Sequence, residues 1–120
     1  MSGVSKIDYK GKEIIYVDYQ GCSDENEMIS IFRQAAALTT SYPNGIPVLI
    51  NSEGVYQTPN YLREARKIGK QTQPYVTKRA IVGIKSPASL ILLRMINSIL
   101  GEKPVRPFKT IKEAKDWLVE

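Results

Sequence analysis

Three short runs of this chain are apolar at consecutive positions, Ile14-Ile15-Tyr16-Val17, Pro47-Val48-Leu49-Ile50 and Ala80-Ile81-Val82-Gly83-Ile84, and amphipathic segments separate them. A strand that is apolar on both faces must be covered on both, so these runs predict a sheet with helices packed on each side. Strands alternating with helices further predict largely parallel pairing and right-handed crossovers.

The segments between the runs supply the helices. Ser23 or Asp24 caps the first, Asp24, Glu25 and Glu27 suit the positive end of its dipole, and Met28, Ile29, Ile31, Phe32, Ala35, Ala36 and Leu38 share a broad apolar face. The turn Tyr42-Pro43-Asn44-Gly45 ends it. Thr58 then caps a second helix with Pro59 at its first position and Leu62, Ala65, Ile68 and Gly69 as its inner face. Ser86 and Pro87 open a third. Residues 105–108 read as an edge strand, because Pro104 and Pro107 lie beside or within it. Thr110 to Glu113 forms a capping box for a final helix that buries Ile111, Ala114, Trp117 and Leu118. Ahead of all this, residues 6–9 and 13–19 flank Gly11 as an antiparallel hairpin. The expected order is ββαβαβαβα, a mixed, largely parallel five-stranded α/β sheet in one domain over residues 1–120.

At 120 residues the chain can bury an ordinary core without a metal or disulfide staple. A single cysteine, Cys22, precludes an intramolecular disulfide, and the absence of histidine removes the usual zinc ligands. No cofactor or metal is expected, and a reducing, cytoplasmic location follows from the same reading. The longest apolar-rich segment, 88–100, is interrupted by Ser89, Arg94, Asn97 and Ser98, so no membrane span is expected. Charge is unevenly spread: residues 1–60 carry −3 and residues 61–120 carry +8 of the net +5. Such a balance suits an acidic partner, a phosphate-bearing ligand or a second copy of the chain.

Most catalytic readings fail for lack of parts, and the carboxylates that remain cluster at Asp24, Glu25 and Glu27, where helix-start electrostatics accounts for them. There is no histidine base, no G-x-S-x-G segment and no phosphate-cradling glycine loop, and Cys22 has no histidine to activate it. Two surface features remain. Arg63, Arg66, Lys67 and Lys70 project from neighbouring positions of the second helix, a solvated face or a seat for an anionic ligand or membrane surface. Aromatic interleaving is missing, so no nucleic acid is expected. On the third helix a core arc of Ala88, Leu92, Met95, Ile96 and Ile99 leaves Leu90 and Leu93 over. These two predict a homodimer contact or a seat for an apolar, lipid-like ligand, with Arg94 and Asn97 as a polar rim.

The segments EIIYVDYQGCSDENE at 13–27, KRAIVGI at 78–84 with the leucine-rich helix behind it, and PFKTIKEAKDWL at 107–118 resemble the STAS-like domains. That group includes the sporulation anti-sigma factor antagonists and their bacterial SpoIIAA-like relatives. The resemblance implies a non-enzymatic module that regulates or scaffolds through a protein partner, or carries a small apolar or anionic ligand. It also implies a phosphorylated Ser or Thr at the helix after the central strand. Thr58 is the nearest position and Ser52 the second, in a stretch, Asn51-Ser52-Glu53-Gly54-Val55-Tyr56-Gln57-Thr58-Pro59, that departs from the antagonists' D-S-S/T-G segment. The related CRAL-TRIO lipid-binding fold has a similar sheet.

Overall fold

The opening hairpin pairs β1 (Gly3–Tyr9) with β2 (Lys12–Asp18) in antiparallel register, Tyr9 opposite Lys12. Its two loop residues, Lys10 and Gly11, both have positive φ, 50° and 83°, which matches the loop to the right-handed twist of the strands. In the computed structural model, which describes residues 2–55, 58–100 and 104–120, the chain then alternates strictly. Helix α1 (Glu25–Thr39) leads to β3 (Ile46–Asn51), α2 (Pro59–Thr72) and a single 3₁₀ turn (Gln73–Tyr75) to β4 (Val76–Val82), and α3 (Pro87–Leu100) to β5 (Val105–Phe108), with α4 (Ile111–Leu118) last. The sheet order is β1-β2-β3-β4-β5, parallel from β2 onward. The expected ββαβαβαβα order is the observed one, and β5 lies at the sheet edge.

Each helix starts where its cap residue predicts. Asp24 caps α1 by accepting from the Glu27 N–H at 2.8 Å, Thr58 caps α2 through the Tyr61 N–H, and Thr110 caps α4 through the Glu113 N–H. Because β2, β3, β4 and β5 are added in one direction by right-handed crossovers, α1, α2 and α3 fall on one face of the sheet and α4 alone covers the other. Ile15, Val17, Ile46 and Val48 face α1 and α2, while Ile14, Leu49, Ala80 and Val82 face Ala114 and Leu118 of α4. The consecutive apolar pairs in β2 and β3 therefore do serve two cores.

Helix α3 departs from the expected orientation. Leu93, expected to be surplus, is 7% exposed and packs against Ile81 and Val105, while Met95, expected in the core, is 52% exposed. Ala88 is likewise exposed, Leu92 is half-buried, and the side chains of Ile96 and Ile99 lie outside the described residues. Asn97 explains the rotation. Its side chain donates to the Val105 carbonyl at 3.0 Å and accepts from the Val105 N–H at 2.8 Å, so it faces the sheet edge and brings Leu93, one turn earlier, inward with it. Asn97 is thus part of the internal hydrogen bonding and not a rim residue. Leu90, Ile91 and Met95 are left on the outer side.

One irregularity in the sheet has a functional bearing. Ile46 pairs with Val76 and Val48 with Arg79, so β4 spends one residue more than β3 between these two pairings. The extra residue reverses the alternation. Val76 and Arg79, three apart, consequently point to the same side, toward α1 and α2, and Lys78 turns to the α4 side, with its ammonium 4.9 Å from the centre of the Trp117 ring.

Candidate functional site

The layer of three helices does not fill the space above the sheet. A cavity of about 80 Å³ lies between Val17, Val48, Ile50 and Ile81 of the strands and the inner faces of the helices. The cause is local: α1 presents Ala35 and Ala36 and α2 presents Ala65 and Gly69 to the same space, four small residues where larger ones would close the gap. Leu93 of α3 and Val105 of β5 complete the wall.

Besides the Thr39 hydroxyl, which donates to the Ala35 carbonyl at 2.7 Å, two polar features interrupt this apolar lining. At one, Tyr61 of α2 donates its hydroxyl to that of Tyr19 at 3.0 Å, with the rings edge to face at 5.6 Å between centres, and Phe32 stacks edge-on against Tyr61. Burial pushes both phenols well above their ordinary range, so each stays a neutral hydrogen-bonding group at physiological pH. The other is Arg79, a residue only 5% exposed. It donates to the Gln73 side-chain oxygen at 2.5 Å, the Gly69 carbonyl at 3.0 Å and the Thr72 hydroxyl at 3.2 Å. Gly69 lies in the last turn of α2, where carbonyls have no partner within the helix, so the cation also complements the negative end of that dipole. Burial lowers its pKa to about 10, which leaves it charged at neutral pH.

Sequence reasoning did not single out Arg79. The available signal was weak, an arginine directly before the apolar run Ala80-Ile81-Val82 and beside a second cation, Lys78. Simple alternation from Val76 would place it on the opposite face.

The residues that the sequence did single out are dispersed. Arg63, Arg66, Lys67 and Lys70 are all exposed along the outer side of α2, with Arg63 donating to Asn60 at 3.1 Å. Ser52 is 2% exposed, and its hydroxyl donates to the Val82 carbonyl at 2.9 Å. The Thr58 hydroxyl is engaged twice, as the cap of α2 and as a donor to Glu25, the first residue of α1. That contact, with a second from Asn60, holds the Glu25 carboxyl below its usual range. A phosphoryl group on Thr58 would set a second anion against it. Cys22 is half-buried, and desolvation raises its thiol pKa. Among the described residues, no three histidine, cysteine or acidic side chains come together as a metal site, and no helix is long and apolar enough to cross a membrane.

This architecture is an α/β fold of the SpoIIAA-like type. A crystal structure of an uncharacterised protein of the DUF3478 family from Shewanella loihica PV-4, with a SpoIIAA-like fold, superposes on it with a TM-score of 0.64. The match covers 98% of this chain and 95% of the other at 15% identity, so the two are alike in fold. No protein-family model and no curated protein matches the chain.

Proposed function

We propose that this domain is a non-catalytic binding module that takes a small apolar molecule with an anionic group into the cavity beneath α1, α2 and α3. The observation that carries the reading is Arg79, a buried cation in the wall of a space otherwise lined mainly by aliphatic and aromatic side chains. An apolar guest gains by removing its own apolar surface from water, and an anionic head gains from the guanidinium in a medium of low dielectric. An engineered apolar cavity of roughly 150 Å³ holds benzene. At about half that size, this one takes the end of a short chain as it stands and a longer one with outward movement of α3.

A titration with straight-chain alkanoates and the matching alkanols, followed through backbone amide resonances, tests the reading. Alkanoates are expected to shift Gly69, Thr72, Arg79 and Leu93 at lower concentration than the alkanols do, and Arg79→Met is expected to abolish that preference. Shifts confined to the outer surface, or equal affinities for acid and alcohol, would refute it. Regulation through a protein partner is the second reading, and the exposed Leu90, Ile91 and Met95 favour it. It predicts no response at those four cavity positions.

A further inference from the structure

Helices α2 and α3 lie side by side in one layer on one face of the sheet, so their outer sides look the same way. On α2 that side carries Arg63, Arg66, Lys67 and Lys70, and no acidic residue is exposed within the helix, because Glu64 is turned toward α1 and pairs with Arg33 at 3.4 Å. On α3 it carries Leu90, Ile91 and Met95, 37%, 55% and 52% exposed, with the exposed Arg94 among them. A row of cations beside a row of aliphatic side chains is the pattern of a surface that lies in a lipid headgroup layer. The apolar row enters the acyl boundary and the cations meet anionic headgroups. We infer that the α2–α3 face docks on an anionic membrane surface.

A second copy of the chain fits this face poorly. A twofold contact would bring the four α2 cations toward their own counterparts, and three partly exposed side chains supply only a fraction of the roughly 800 Å² per partner that a stable dimer hides. A bilayer needs no shape match and supplies the missing negative charge. The inference stands whether or not the cavity is filled, since every residue it uses is on the outside.

Co-sedimentation with vesicles of phosphatidylcholine alone, and of equal parts phosphatidylcholine and phosphatidylglycerol, decides the matter. The protein is expected to pellet with the mixed vesicles, to remain in solution with the neutral ones, and to be released as salt rises. Arg66→Gln/Lys67→Gln should weaken partitioning about 25-fold, taking about fivefold for each cation at the surface. Ile91→Ser/Met95→Ser should weaken it about tenfold while leaving the salt response intact. Both pairs sit on the outer surface, and unchanged thermal unfolding of each variant verifies that the fold is kept. Equal partitioning on the two vesicle types, or none on either, overturns the inference. So does a wild type that sediments as a dimer and becomes monomeric with Ile91→Ser/Met95→Ser, which would assign the face to a second copy.

Discussion

Replacing Leu93 by alanine tests the rotation of α3 directly, because the side chain is either in the core or on the surface. Its 7% exposure and its contacts with Ile81 and Val105 place it in the core, where Leu→Ala substitutions cost roughly 2.7 to 5.0 kcal/mol according to how far the site collapses. Leu93 also borders the cavity, so one side of it already lacks packing partners and fewer dispersion contacts are lost. The expected cost is therefore near the lower end, about 3 kcal/mol. For a chain of 120 residues that corresponds to a fall in Tm of about 12 °C. Leu90→Ala, on the outer side of the same helix, should cost less than about 1 kcal/mol. Urea unfolding followed by circular dichroism measures both, with an unchanged dependence on denaturant confirming that the comparison is of stability alone. If Leu90→Ala costs as much as Leu93→Ala, or if Leu93→Ala moves Tm by only a few degrees, α3 does not have this rotation and the cavity wall is wrongly assigned.

Two further outcomes follow from the structure. Gly83 has φ +98°, and a Cβ there would lie 2.5 Å from the Glu53 backbone nitrogen, so Gly83→Ala should lower stability by more than about 3 kcal/mol in the same urea assay. A near-neutral result would mean that the close approach of β4 to the loop after β3 is absent. Asp116 is held well below the usual carboxylate range, first by the Tyr9 hydroxyl and then by Lys112 and Lys10. A carboxyl whose folded pKa is depressed stabilises above its unfolded pKa of about 4 and loses that contribution as acid protonates it. The urea midpoints of wild type and Asp116→Asn should accordingly stay apart from neutral pH down to about pH 4 and draw together only as the pH falls further, toward the depressed folded pKa; parallel curves would count against the cluster.

The sheet was legible in the sequence because consecutive apolar residues such as Ile14 and Ile15 leave a strand no exposed face, and helix starts were legible because Asp24, Thr58 and Thr110 cap as isolated chemistry predicts. The rotation of α3 was not, since its apolar residues surround the helix and a helical wheel offers no clear polar side. What selects among its faces is Asn97 bonding to β5, a contact between segments rather than within one. Arg79 was hidden for a similar reason. The extra residue in β4 changes which side chains share a face, and nothing in that strand alone reveals which neighbour will force the change.

The sheet is laid out in the order in which its strands occur along the chain. No later strand inserts between two earlier ones, so each pairing can form as soon as its second member is available and need never be undone. Each parallel addition closes only the span of a single crossover helix, which keeps the entropy lost at every step small. A polypeptide emerging from a ribosome meets the same sequence of steps, the hairpin before one helix and one strand at a time, with the growing edge open until β5 and the far face of the sheet bare until α4 is made.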